Sequence, residues 1–328
     1  MNKCVLILPY FGKFNNYFPL FLRSCGANPT YDYLIFTDNT DCYMYPNNVH
    51  IMPMTLDEFR ANAAIKLGFV PCIPSPYKLC DFKPAYGLLF EEYIKGYEYW
   101  GHCDCDLIFG NLEKMLTPIL KEDYDKIFSA GHLTLYRNTP NNNRRFMKSL
   151  DGREIYREAL TTNRIYVFDE DNPDSVKNPD LYNVHSIFLQ DKAKVFTQDL
   201  SMNVSILCDR ITRSQYDPQV RTFVRHYTLA RYYWDNGRVI SVSWDSEAKE
   251  IHVEEFLYMH FMSRKLRMPL SVLSSNTIEI LPDRFAKASY IPDSLSSLRL
   301  PLLRCPSRFY LDIYSKKIRG KLKRKLKN

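Results

Sequence analysis

Two aspartates one residue apart, Asp104 and Asp106, end an apolar, aromatic stretch in the string His102-Cys103-Asp104-Cys105-Asp106-Leu107-Ile108-Phe109-Gly110. On an extended backbone alternate side chains project to one side, so both carboxylates can share a hard divalent cation with the oxygens of a diphosphate. A cation held there offsets the charge that builds on a departing diphosphate. The Asp-x-Asp spacing recurs at Asp123-Tyr124-Asp125 and Asp169-Glu170-Asp171. Those two lie in polar, turn-like surroundings, so context rather than spacing singles out the first.

Other phosphate-binding devices are missing from the sequence. The eleven glycines never fall at G-x-G-x-x-G spacing, and no G-x-x-x-x-G-K-[ST] string occurs. Nine cysteines are scattered without a C-x-x-C pair, which suits reduced thiols in a chain too large to need stapling. Cys103 and Cys105 lack the second pair that a zinc site requires, and read as small core residues of a buried strand.

The elements that must position the aspartates follow from the apolar pattern. Short apolar runs alternate with helical stretches in the first half, which points to a sheet wrapped by helices. Strands are expected at residues 3–8, 33–37, 50–52, 97–103 and 126–129. Thr55 with Glu58 three residues later forms a capping box and starts a helix. A second helix is expected from near Ser75, with Pro76 in its first turn, to Gly96, divided or kinked at Pro84. Residues 138–180 are rich in Asn, Asp, Arg and Pro and read as a long irregular excursion with little core. Residues 238–244 and 250–261 read as a hairpin. Its second strand continues through Leu257, Met259 and Phe261 on one face and Tyr258 and His260 on the other.

With 45% hydrophobic residues among 328, the chain can bury a large core. No apolar run approaches the roughly 20 residues that cross a bilayer, and no cleavable leader follows Met1, so a cytoplasmic location is expected. The last thirteen residues, 316–328, hold eight Lys or Arg and no acid, which accounts for more than the whole formal charge of +7. The body is thus close to neutral, which argues against a nucleic-acid partner. Tyr310, Tyr314, Ile318, Leu322 and Leu326 recur every fourth residue, so the tail can form an amphipathic helix on an anionic membrane surface.

Four strings together, Leu8-Pro9-Tyr10-Phe11-Gly12, Ile35-Phe36-Thr37-Asp38, Tyr77-Lys78-Leu79-Cys80-Asp81-Phe82-Lys83-Pro84 and Asp104 to Gly110, resemble GT-A glycosyltransferases. More narrowly, they resemble a family encoded in bacterial capsule and O-antigen clusters. The resemblance covers about residues 3–137 and resumes near 256–265. It implies an α/β, GT-A-like (Rossmann-like) mixed sheet flanked by helices, with a C-terminal hairpin and helical extension. Pro9, Tyr10 and Phe11 then lie where the nucleobase is received, although core packing serves the aromatics equally well. Asp38 lies where a carboxylate meets the nucleoside, with a plain turn role as its alternative. Lys78, Asp81 and Lys83 precede the metal strand, where a lysine holds phosphate oxygens and Asp81 accepts sugar hydroxyls; a solvated salt bridge is the competing reading. His260 resembles the late histidine that completes the metal site beside Asp104 and Asp106, with Arg264 and Lys265 near the diphosphate. By their chemistry Asp169 and Glu170, with Asp171, can supply the carboxylate base of an inverting enzyme, or else form a solvated acidic turn, and a retaining enzyme would need no such base.

These implications describe a glycosyl domain over residues 1–265, with a donor-binding half to 137 and an acceptor side over 138–265. A C-terminal extension follows over 266–315, and the basic tail over 316–328. The expected activity is a Mn²⁺- or Mg²⁺-dependent transfer of a hexose from a nucleotide sugar, foremost a UDP-sugar, to a lipid-linked cell-surface glycan. The enzyme would sit peripherally on the inner face of the cell membrane. A metal-dependent phosphoester hydrolase or nucleotidyltransferase, and a non-catalytic carbohydrate-binding assembly protein, are the alternatives.

Overall fold

The computed structural model describes residues 3–176, 178–205, 210–262 and 266–298, together with Ser315 and Ile318. The N-terminal half forms β1 (Cys4–Pro9), β2 (Tyr31–Thr37), β3 (Val49–Pro53), β4 (Tyr99–Cys103), β5 (Leu107–Phe109), β6 (Lys126–Ile127) and β7 (Leu133–Arg137). Then come β8 (Val195–Phe196), β9 (Ser201–Asn203), β10 (Arg213–Asp217), β11 (Thr222–His226), β12 (Ala230–Asp235), β13 (Arg238–Asp245) and β14 (Glu250–Phe256). The last are β15 (Tyr258–His260), β16 (Thr277–Ile280) and β17 (Phe285–Lys287).

The main sheet has seven strands in the order β3-β2-β1-β4-β7-β6-β8. β3, β2, β1 and β4 run parallel, and β7 is antiparallel to both β4 and β6. With helices such as Phe18–Gly26 and Leu56–Leu67 beside it, this is the α/β mixed sheet expected. Burial on both faces explains why its strands read as nearly continuous apolar runs. Along β1, Val5 and Ile7 join one core with Phe36 and Trp100, while Cys4, Leu6 and Leu8 join another with Tyr33, Tyr99 and Cys103. The chain adds β2 on one side of β1 and β4 on the other, so the strand order reverses there. In such sheets ligands bind beyond the carboxyl ends of the strands at the reversal. Continued beyond Ile7↔His102, the register brings Pro9 and Tyr10 beside Asp104 and Cys105 at that edge.

The capping box at Thr55 and Glu58 forms with both hydrogen bonds in place and starts the helix Leu56–Leu67. The helix expected over 75–96 is divided just after Pro84, as anticipated, but its first piece is not α-helical and its second ends at Leu89. Pro76–Ala85 is a 3-10 helix, followed only by the short α-helix Tyr86–Leu89. Pro84 cannot donate to an α-helical ladder and its ring crowds the preceding turn, so the tighter winding persists for ten residues. The excursion at 138–180 also carries more core than its composition suggests. Ile155, Tyr156, Ala159, Leu160, Tyr166 and Phe168 are all buried in the same cluster as Trp100. Its polar residues cap and pair, whereas this thin apolar set does the packing.

β13 and β14 form the expected hairpin, but the second strand does not run through to Phe261. It ends at Phe256, and the chain crosses into a separate sheet ordered β5-β15-β9. β16 pairs with β12 in the sheet of β14-β13-β12-β16-β17, so the boundary expected at residue 265 falls between strands of one sheet. Among the described residues no helix is long and apolar enough to cross a membrane. Cys103 and Cys105 are buried and unpaired, as core residues should be. Of the tail, 316–328, all but Ile318 lies outside the described residues.

Candidate active site

β4 delivers Asp104 to the carboxyl edge, and backbone contacts fix the turn that follows. The Asp104 N–H donates to the His132 carbonyl at 3.0 Å, and the Phe261 N–H donates to the Asp106 carbonyl at 2.9 Å. The Asn15 amide donates to the Cys105 carbonyl at 3.2 Å. Antiparallel pairing of β15 with β5 sets His260 opposite Leu107, next to this turn. The strand switch after Phe256 is what carries the histidine there.

One ligand atom each of Asp104, Asp106 and His260 lies within 4.8 Å of the others. The His260 Nε2 is 3.3 Å from Asp106 Oδ1 and 3.9 Å from Asp104 Oδ2. Its Nδ1 is 3.0 Å from the Asn203 side-chain oxygen, on the neighbouring strand β9. An amide oxygen only accepts, so Nδ1 carries a proton and Nε2 is aimed at the carboxylates. Such an outer hydrogen bond orients an imidazole that ligates a metal. Burial works against a charge on His260, yet Asp106 and Asp104 outweigh it and hold the imidazole above its ordinary range. Two carboxylates and an imidazole suit Mg²⁺ or Mn²⁺.

Lys83 reaches the same cluster from the 3-10 helix. Its Nζ lies 2.8 Å from Asp104 Oδ1 and 3.1 Å from Asp169 Oδ2, and donates to the Gly131 carbonyl at 2.7 Å. Burial alone would discharge this ammonium. The charges of Asp104 and Asp169 prevail and hold it well above the usual lysine range. Gly131 is required by the close approach, because a Cβ there would sit 2.5 Å from Asp169 Oδ2. His132 follows, its ring stacked on His260 with centroids 4.5 Å apart and its Nδ1 2.7 Å from the Tyr258 hydroxyl. Burial, reinforced by the charge of His260, pushes His132 well below its ordinary range, so it stays neutral.

A cavity of about 2120 Å³ opens over these groups. Pro9, Tyr10, Phe11, Lys83, Asp104, Asp106, Asp169, Glu170 and His260 all line it. Tyr10 stacks on Phe14 at 4.7 Å, and Phe11 packs edge-on against Phe59. Asp169 is buried, and burial, partly offset by Lys83, raises its carboxyl. Burial and then the charge of Asp169 lift Glu170 to about 7. The reading of these two as a solvated turn is therefore overturned. Asp171 instead points to the β10–β11 hairpin, where it pairs with Arg221 and accepts from Tyr216.

Three sequence-based assignments change. Lys78 and Asp81 are fully buried and do not line the cavity, so neither the diphosphate nor the sugar role fits, nor does a solvated pair. Lys78 Nζ is bound to Asp81 at 2.6 Å and to the carbonyls of Ala159 and Arg164. Asp38 is outside the cavity and takes the turn role, accepting the Gly12 N–H at 2.7 Å and so holding the loop after β1. Arg264 and Lys265 lie outside the described residues. Asn203, His132 and Gly131 were not foreseen. The run Ser129-Ala130-Gly131 just after a strand is the one signal that a close approach was needed there.

Residues 6–289 match the family described as "Family of unknown function (DUF6625)". No curated protein matches the sequence. Among solved structures the chain is similar to a galactosyltransferase, LgtC, solved in complex with donor and acceptor sugar analogs. The TM-score is 0.36 at 10% identity, over 80% of this chain and 88% of that one. A likeness of that degree carries no functional conclusion. The family match spans most of the chain, which therefore belongs to the DUF6625 family.

Proposed function

We propose that this chain is a metal-dependent glycosyltransferase that uses a nucleotide sugar, foremost a UDP-hexose, and adds the sugar to a cell-surface glycan. The observation that carries the reading is the convergence of Asp104, Asp106 and His260 at the strand-order reversal, under a cavity of about 2120 Å³. The motif strings that resemble GT-A enzymes supply the donor class. Asp104, Asp106 and His260 would hold a divalent cation, which would supply positive charge to offset that of the leaving diphosphate.

The chain's own groups do the rest. Tyr10, with Pro9 and Phe11, offers an aromatic seat for the nucleobase at the end of β1. Lys83 brings an ammonium next to Asp104, where it adds positive charge near the phosphates and keeps Asp169 in place. Glu170, with a carboxyl raised to about 7, is poised to take the proton of an acceptor hydroxyl. The acceptor oxygen then bonds to the anomeric carbon as the bond from that carbon to the diphosphate breaks.

The eight basic residues of the tail support a site of action on the cytoplasmic face of an anionic membrane, where each contributes on the order of 1 kcal/mol before screening. That placement suits a lipid-linked acceptor of capsule or O-antigen type. The test is the identity of the product formed from a panel of nucleotide sugars with Mn²⁺. Release of a nucleoside diphosphate, abolished in Asp104→Ala, is expected. Release of free phosphate or pyrophosphate would instead mark a hydrolase or nucleotidyltransferase.

A further inference from the structure

The buried Lys78–Asp81 pair has no access to the cavity, yet it governs one wall of it. Asp81 accepts the backbone N–H groups of Tyr166 and Phe168, each at 2.9 Å, and Lys78 donates to the Arg164 carbonyl at 2.6 Å. Between the two bonds to Asp81 lies Val167, with φ +64°. A β-branched residue pays heavily in sterics for the left-handed region, and the conformation persists only where surrounding bonds over-determine it. Here they do, and the result is that Val167 turns outward. It is 42% exposed and lines the cavity together with Ile165. Tyr77 completes this wall with 76% of its surface exposed, although it also lines the cavity. Its chain neighbour Lys78 is tied to the Arg164 carbonyl at 2.6 Å, which sets the Tyr77 backbone next to the segment that carries Ile165 and Val167.

The cavity has room for more than one ligand, since pockets for single small molecules hold about 300–1,000 Å³. Tyr10 follows β1, whose register with β4 sets it beside the Asp104–Asp106 turn, while Tyr77 lies in the first turn of the 3-10 helix whose Lys83 reaches Asp104 and Asp169. With the nucleotide on the Tyr10 flank, the Tyr77 flank and its adjoining carboxylates are left for the second substrate. A sugar ring matches that chemistry. Its C–H face packs on an aromatic ring or a branched aliphatic group, and its hydroxyls donate to carboxylates.

We infer that Tyr77, Ile165 and Val167 form the acceptor subsite, a ledge for the apolar face of a saccharide ring, clamped from beneath by Lys78 and Asp81 and edged by Glu170. This deepens the glycosyltransferase reading and rests on it for the word acceptor. Val167 and Tyr77 set which ring is held, and Lys78 and Asp81 are positioning residues.

Saturation-transfer NMR tests the ledge with the methyl glycosides of glucose, galactose, mannose and N-acetylglucosamine, each with and without UDP and Mn²⁺. At least one glycoside is expected to receive saturation, strongest on the C–H protons of one face. Tyr77→Ala and Val167→Gly should each lower that transfer fivefold or more while UDP·Mn²⁺ affinity stays within twofold of the parent. Val167→Gly should melt no lower than the parent, because glycine accepts a φ of +64° without strain. The inference is overturned if no glycoside binds in either condition, or if both variants hold it as the parent does. It is equally overturned if Tyr77→Ala weakens UDP instead, which would give the ledge to the nucleoside. A parent that fails to bind UDP with Mn²⁺ would overturn the glycosyltransferase reading, while glycoside binding without UDP still reports on the ledge.

Discussion

Two lysine–aspartate pairs arise from one short stretch, Lys78 with Asp81 and Lys83 with Asp104, at nearly equal separations of 2.6 and 2.8 Å. The first pair is sealed, with both side chains fully inaccessible, whereas Asp104 keeps a third of its surface open to the cavity. At three residues per turn, positions 78 and 81 eclipse on one face of the 3-10 helix, and that face meets the backbone of 159–168. Lys83 falls off that face and reaches the cavity. Identical chemistry therefore supports structure at one place and chemistry at the other, and what decides is which neighbours satisfy the charges.

The largest effect should come from breaking the sealed pair. Asp81→Ala leaves a buried ammonium and two backbone N–H groups without their acceptor, and should cost about 3–5 kcal/mol in denaturant unfolding. An Asp81→Ala protein of parental stability that had lost donor binding would return this pair to a ligand role. Lys83→Met should do the reverse in kind. Its partner Asp104 can turn to water, and the buried Asp169, its carboxyl already raised, can take up a proton. Stability should therefore fall less, while turnover of a nucleotide sugar drops on the order of 100-fold with the loss of a preorganised charge. Unchanged turnover would remove Lys83 from the site.

How far this contrast was legible beforehand depends on the residue. The main sheet could be read from its strands because burial on both faces left unbroken apolar runs such as Val5 to Leu8. Asp104 and Asp106 could be read because their strand is central. The direction of Lys78 could not, since an α-helical and a 3-10 reading both put 78 and 81 on one face, and neither says whether that face meets the cavity or the backbone of 159–168. Asn203 gave no signal, because a three-residue strand pairs only through partners distant in the chain.

A smaller effect isolates the packing around the open pair. Gly131→Ala puts a methyl 2.5 Å from the Asp169 carboxylate and should displace it from Lys83, lowering turnover about tenfold with roughly 1 kcal/mol lost in stability. Parental kinetics in this variant would show that Asp169 does not need that seat. The last test reads the shape of a profile rather than the size of an effect. Burial and then the charge of Asp169 lift the Glu170 carboxyl to about 7, against the pull of Lys83 and His260. A base acts when ionised, so kcat should rise with pH through about 7 and fall away below it. Glu170→Gln should remove this limb of the profile, and a limb that survives the substitution belongs to another group.

The central claim is that Asp104, Asp106 and His260 hold a cation that holds a nucleoside diphosphate. Isothermal titration of UDP into the full chain, with Mn²⁺ and with a chelator, tests it most directly when repeated on Asp106→Ala at matched thermal stability. Binding is expected with Mn²⁺, lost on chelation and lost in Asp106→Ala. Equal UDP affinity with and without metal, or undiminished Mn²⁺-dependent binding in the variant, would contradict it.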